Sequence, residues 1–358
     1  MFHMTLVFGI LISGFSSGRL VAESDTSFTP GGKVITQVFN RTLLEIRDAG
    51  TRYGMYINRA HFGYQQQFSP EWSGTIVIDA GRPTVFGNLT SIDSSGKGNP
   101  LSYSYKEGSY YTMSLKFSFL EYKISQQFKI QAGGILQNHY ITQEKIWGYR
   151  YVMETFQDRY FGTPSGDLGI IAYYSPSSFL AVDLAVTNGE GFRLTQDQSG
   201  AVKIASGVDL KPFQDAIIRI YYDHTASGDS SKTASQQLVS VLAAYHLPGR
   251  FRLGAEYNHH FNHGCQEKCA LYGISMYGSV YSGEKTALFL RYDRLRSNKT
   301  NGSDQYWNIE KDGEAFVGGI HYQAVRNISL SLSYQGWKPL DNQYAYSSIF
   351  AFCFEYKF

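Results

Sequence analysis

No apolar stretch of this 358-residue chain reaches the roughly 18 residues that a membrane-spanning helix needs. Neither sign of charge dominates, with 32 Lys and Arg against 30 Asp and Glu and a net charge of +2. That balance excludes a dense cationic surface of the kind that neutralises nucleic-acid phosphates. Cysteine is scarce, at three residues, and none follows the amino-terminal leader closely enough to carry a lipid. HExxH and phosphate-cradling GK[ST] motifs are absent, and GxSxG occurs only at Gly14–Gly18, in the apolar amino-terminal run and not at a strand-to-helix turn, so the common signatures of hydrolases, zinc proteases and nucleotide binders are missing from the rest of the chain. Nothing in the chain points to a cofactor, and no spacing of Ser, His and Asp marks a catalytic triad.

Aromatic residues are abundant instead, at 16% with 28 Tyr. The mean hydropathy of −0.27 reads as soluble, but alternating lipid-facing and lumen-facing residues cancel in any average. The last nine residues show such alternation. Phe350, Phe352, Phe354, Tyr356 and Phe358 take every second position, with Ala351, Cys353, Glu355 and Lys357 between them. In a β-strand the five aromatics share one face, and a strand that is greasy on one side and charged on the other separates lipid from water. An amphipathic last strand of a soluble sheet is the alternative. A terminal Phe closing such a strand, here Phe358 with Tyr356 and Phe354, resembles the assembly signal that the barrel-assembly machinery of Gram-negative outer membranes reads.

The one continuous apolar run, residues 6–15, is too short to span and sits where a secretory signal belongs. The expected organisation is a signal peptide at 1–22, cleaved after Ala22 or alternatively after Gly18, followed by a barrel over 23–358.

A period-2 template predicts sixteen strands: 34–47, 54–68, 74–82, 110–121, 124–138, 166–174, 179–187, 201–211, 215–223, 236–246, 250–260, 270–281, 285–296, 314–324, 327–336 and 346–358. Their connections alternate between tight turns, such as 69–72, 175–178, 212–214, 247–249 and 282–284, and long polar segments, such as 83–109, 139–165, 188–200 and 297–313. Sorting by length is expected of outer-membrane barrels, with short periplasmic turns and long external loops. An open sheet edge is not tolerated in hydrocarbon, so the sheet must close. The expected fold is all-β: a transmembrane antiparallel β-barrel of sixteen strands in the bacterial outer membrane, its outside against lipid and its inside wide enough for water.

Several segments carry a family likeness. They are Gly54-Met55-Tyr56-Ile57-Asn58-Arg59-Ala60-His61-Phe62-Gly63-Tyr64, then Ile146-Trp147-Gly148-Tyr149-Arg150-Tyr151-Val152-Met153-Glu154-Thr155-Phe156 with Gln157-Asp158-Arg159, then Gly166-Asp167-Leu168-Gly169 and Thr187-Asn188-Gly189-Glu190-Gly191. In this order they resemble porins related to the phosphate-selective porins O and P, in the form common in Bacteroidetes-type bacteria. The resemblance implies a sixteen-stranded, usually trimeric, passive diffusion channel for small hydrophilic solutes or ions. Asn58 stands where a basic residue would be expected, and there is no dense basic ladder.

In the segment 139–165, Ile146, Tyr149, Val152 or Met153, and Phe156 recur at helical spacing, and Arg150, Glu154 and Asp158 lie four apart, close enough to pair on one helix face. The expectation is a helix folded into the lumen as a constriction, apolar side on the wall and charges to the channel. An external helical cap is the other reading. Strand parity puts Arg59, Lys116, Lys129, Lys203, Arg219, Arg252 and Arg291 on the lumenal face against Asp79, Asp183, Asp209, Asp223, Glu256, Asp293 and Glu355. His61 shares the face of Arg59. Arg59, His61, Lys116, Lys129, Arg150, Glu154, Asp158, Arg219 and Arg291 are the candidate pore-lining set; most could equally be paired wall residues. Cys265 and Cys269, beside His259, His260 and His263, are expected to form a disulfide in an oxidising compartment, a soft metal being the alternative. A structural or adhesive barrel without an open pore and an outer-membrane enzyme remain rival readings.

Overall fold

In the computed structural model, backbone N–H and C=O groups are satisfied strand to strand around a complete circle. The structure describes residues 28–47, 50–81, 90–92, 98–100, 112–194, 200–227, 234–300, 302 and 304–358; the expected signal peptide at 1–22 and its expected cleavage sites lie outside them. The wall runs β1 (Gly31–Arg47), β2 (Gly50–Gln67), β3 (Trp72–Gly81), β4 (Thr112–Lys123), β5 (Phe128–Leu136), β6 (Gly166–Tyr174), β7 (Leu180–Thr187) and β8 (Lys203–Leu210). It continues with β9 (Ala216–Thr225), β10 (Gln236–Leu247), β11 (Phe251–Phe261), β12 (Leu271–Ser282), β13 (Thr286–Ser297), β14 (Gly313–Val325), β15 (Ile328–Pro339) and β16 (Ser347–Lys357). Each strand pairs antiparallel with its neighbour, and β1 closes on β16 from Gln37↔Lys357 to Arg47↔Ser347. A short hairpin, Thr90–Ile92 with Gly98–Pro100, stands apart from the wall.

All sixteen expected strands are present. The turn after β4 lies at 124–127, where the sequence reading began a strand. The first expected loop is nearly absent: β1 and β2 run on as a long hairpin joined by only residues 48–49. The other connections sort by length as expected, with turns at the end that carries Gly31 and Phe358 and long segments at the opposite end.

Alternation fixes the two surfaces. On β16 the side chains of Phe350 and Phe352 are exposed outward, while Ala351, Cys353 and Glu355 are buried inward. The same holds for Leu288 and Leu290 against Phe289 and Arg291 on β13. The outside is thus a continuous apolar belt, and the inside is lined with Ser, Gln, Asn and paired charges. Trp72 stacks on Tyr122 at 4.5 Å between ring centroids, and Phe128 meets Tyr174 edge-on at 6.2 Å, forming part of an aromatic girdle near the turns.

Two β-bulges break the alternation where it matters for the lumen. Tyr53, Met55 and Ile57 face outward on β2, yet Arg59 and His61, of the same parity, face inward. Asn58 is the extra residue between the pairs Asn40↔Ile57 and Phe39↔Arg59, and it shifts the phase by one. Lys116 is likewise the extra residue between Ile78↔Leu115 and Val77↔Phe117. A bulge re-aims side chains in this way, and here the two bring Arg59, His61 and Lys116 to one patch of inner wall.

Complete hydrogen-bond closure predicts a barrel that resists detergent until heated. Unboiled protein should migrate anomalously on gels and show a β-dominated circular dichroism spectrum; heat-independent mobility with substantial helix would contradict the closed barrel.

Candidate functional site

The connection between β5 and β6, residues 137–165, turns into the lumen. Its helix spans only Ile141–Trp147. Gly148 ends it in the left-handed conformation, φ 74°, with its N–H donating to Glu144 O at 2.8 Å, a standard helix stop. The expected apolar stripe from Ile146 to Phe156 is therefore not a helix: residues 149–155 form turns and irregular chain, followed by one wide helical turn at Gln157–Phe161. Trp147, Tyr149, Tyr151, Val152, Met153 and Phe156 are buried against the wall.

Polar contacts tie this segment to the far wall. Gln143 Nε2 donates to Ser240 Oγ at 3.3 Å, Gln157 Nε2 to Asn258 Oδ1 at 2.7 Å, Gln335 Nε2 to Val152 O at 3.2 Å, and Tyr160 OH to Asp293 Oδ2 at 3.0 Å. Arg291, fully paired with Asp293 at 2.8 Å, donates Nη1–H to Glu154 O at 2.7 Å. Arg219 lies between Asp183 at 2.9 Å and Asp209 at 2.8 Å and donates to Asn138 O at 2.9 Å. Arg219 and Arg291 are thus buried anchors for the loop. Lys129 pairs with Glu121 at 2.8 Å near the turn end, away from this site, and Lys203 pairs with Asp223 at 2.8 Å.

Four charged side chains converge on the open side of the loop. Arg150 reaches Asp158 at 2.6 Å, Glu144 at 3.0 Å and Glu154 at 3.6 Å. Its own side chain is 14% exposed and that of Glu154 44%, so the carboxylates meet the lumen more than the guanidinium does. Burial raises the pKa of Glu144 and of Asp158. Glu154 is also pushed up by burial, but Arg150 and Arg159 outweigh it and hold its pKa down at about 2.

The wall patch stands within electrostatic reach of this cluster: Arg59 and Lys116 both act on Glu144 and Asp158. In the patch Arg59 grips Asp79 with a closest approach of 2.6 Å, His61 Nε2 lies 3.4 Å from Asp79, and Lys116 Nζ lies 3.0 Å from His61 Nε2. Arg193 approaches the same carboxylate at 3.7 Å. Arg41 donates to Gln335 Oε1 at 2.9 Å. Glu144, Arg41 and Arg193 were missed by the sequence reading. The inward parity of Arg41 was legible on β1; the approach of Glu144 to Arg150 was not, because their six-residue spacing crosses the chain reversal after Gly148.

The loop 262–270 closes on itself, with His263 N–H donating to Cys269 O at 2.6 Å. Cys265 is buried and Cys269 half-buried, and the structure forms no disulfide with either, so the expected bond is not seen in this conformation. Among the described residues no group of three or more His, Cys, Asp or Glu is arranged to hold a metal ion.

Neither a protein-family model nor a curated protein matches the chain. Solved structures do. OmpF of Salmonella typhi, in a complex with daunomycin, superposes with a TM-score of 0.63 at 11% identity over 91% of this chain and 97% of that one. An anion-selective porin from Comamonas acidovorans gives 0.63 at 11% over 92% and 100%, and the outer-membrane channel DcaP of Acinetobacter baumannii 0.61 at 12% over 92% and 97%. The fold is that of the outer-membrane porins. The apolar belt and the closed sixteen-strand wall place the chain in a bacterial outer membrane.

Removing Arg219 strands Asp183 and Asp209 in the wall and releases Asn138. Arg219→Ala should cost about 3–5 kcal/mol, read as a lowered unfolding temperature of the detergent-solubilised barrel; an unchanged transition would show that the anchor is dispensable.

Proposed function

We propose that this protein is a non-enzymatic, passive diffusion porin for small hydrophilic solutes or ions, narrowed by the inward-folded loop 137–165, and that it is related to the phosphate-selective porins O and P. The observation that carries this reading is the opposition of charge across the lumen. Arg150 with its three carboxylates stands on the loop, facing Arg59, Lys116 and Arg41 on the wall. Sixteen strands alone enclose an aqueous channel, too wide to select by itself. A loop pinned to one side reduces the open area and presents fixed charges where the walls concentrate their field. The short motifs quoted above support the kinship; no particular solute is assigned to the channel.

A homotrimer fits this reading, since one structural neighbour, OmpT of Vibrio cholerae, is described in a trimer form. Phe358, with Tyr356 and Phe354 on the outward face of β16, would serve as the assembly signal. Deleting Phe358 should lower the amount of folded protein in the outer membrane, measured by heat-shifted mobility of membrane fractions; normal levels would remove that role.

Excising residues 147–159 should raise single-channel conductance in planar bilayers, and unchanged conductance of a folded deletion mutant would place the loop outside the solute path. Arg150→Ala leaves Glu144 and Asp158 without their ion-pair partner, Glu154 keeping Arg159 at 3.6 Å, and should move the reversal potential toward cations. Acidification should act in two stages. Glu144 and Asp158 lose charge above their ordinary values of 4.5 and 3.8, so a shift toward anions should begin there, while Glu154 keeps its charge until about pH 2. A single transition at or below pH 3.8 would contradict this assignment.

A further inference from the structure

The outward face of the wall is apolar along most of its height, so a charge on it is informative. Among the described strand residues, three Lys or Arg side chains face outward: Arg294 and Arg296 on β13 and Lys338 on β15. All stand at the strand ends next to the long connections, and they are neighbours. Arg294 pairs across to Glu314 on β14, and Glu314 pairs across to Lys338. Glu314 is the single carboxylate among them. It is already engaged by Arg296 at 3.0 Å, whose other nitrogen donates to Leu295 O at 2.8 Å and Gly313 O at 3.1 Å. Arg294 is farther from Glu314, at 3.9 Å, with its side chain 51% exposed, and Lys338 is exposed. Among the described residues, Arg294 thus shares its one carboxylate with Arg296, and Lys338 pairs with none.

Directly below them the belt begins. Tyr292 and Phe316 pack at 5.0 Å between ring centroids, and Leu290, Leu288 and Ile320 follow outward. Interfacial aromatics mark the level where hydrocarbon gives way to headgroups. The cations stand one residue step beyond that level, on the side of the external loops, so the groups they meet are headgroups of the outer leaflet. Guanidinium binds phosphate oxygens in paired hydrogen bonds, and ammonium serves as a point charge.

We propose that Arg294, Arg296 and Lys338 form a binding site for the phosphate of an anionic glycolipid headgroup in the outer leaflet. Arg296, held by Glu314 and two carbonyls, is the rigid part; Arg294 and Lys338 are the arms that close on the phosphate from both sides. The site lies on the opposite surface of the wall from the lumen and does not depend on the channel reading.

The test uses the full-length protein in detergent, incubated with a diphosphorylated lipid A-type glycolipid or its dephosphorylated form and read by native mass spectrometry. Wild type should retain the phosphorylated lipid and not the dephosphorylated one. The double variant Arg294→Ala, Lys338→Ala should bind it roughly thirtyfold more weakly, with its heat-shifted mobility unchanged. Glu314→Gln, which removes the only carboxylate, should retain it at least as well as wild type. Equal retention by the double variant, or equal retention of the dephosphorylated lipid, would overturn the proposal. Displacement by equimolar inorganic phosphate would assign the site to free phosphate instead of lipid.

Discussion

Everything in this molecule depends on hydrogen-bond closure of the sheet. In hydrocarbon an unpaired N–H or C=O costs several kcal/mol with no water to offset it, so β1 must find β16, and it does so over the full span from Gln37 to Arg47. Along the closed wall the strand pleat alternates except at the bulges, and alternation divides the side chains into a lipid face and a water face. The near-zero mean hydropathy and the absence of long apolar runs follow from that division.

The second constraint is what to do with charge inside. The inner wall is crowded with Arg, Lys, Asp and Glu, and burying any of them unpaired is costly. The structure answers with local pairs, Arg219 with Asp183 and Asp209, Arg291 with Asp293, Lys203 with Asp223. Two of these cations have donors left over, and they hold carbonyls of the inward loop. Wall pairing and loop docking are thus one network. The charges left most open to the lumen are the carboxylates around Arg150, with the buried Lys116 and the paired Arg59 of the wall patch behind them, and it is there that we propose selectivity is set.

Much of this architecture could be read from the chain because its period is two. The alternating aromatics of residues 350–358 located β16 within a residue at each end, and Leu288, Leu290 and Tyr292 against Arg291 and Asp293 oriented β13. What escaped was whatever changes the period. Asn58 and Lys116 each insert one residue opposite none, and a bulge leaves no composition mark that separates it from ordinary strand. Gly148 stops a helix that the spacing of Ile146, Tyr149 and Phe156 would continue; its left-handed conformation was available to a reader, but competing apolar periodicity hid it. Parity also assigned faces without partners, so Arg219 and Arg291 read as lining residues although each is consumed by neighbouring carboxylates.

The central claim is that the charged edge of the inward loop borders the path of permeating ions. The most direct measurement replaces Glu154 by Cys and applies a small anionic thiol reagent to single channels in a planar bilayer. With Cys265, Cys269 and Cys353 replaced by Ser in both proteins, stepwise loss of current in Glu154→Cys and none in its parent is the predicted result. Complete labelling of Glu154→Cys with no change in current would place the loop edge away from the conducting path and contradict the account.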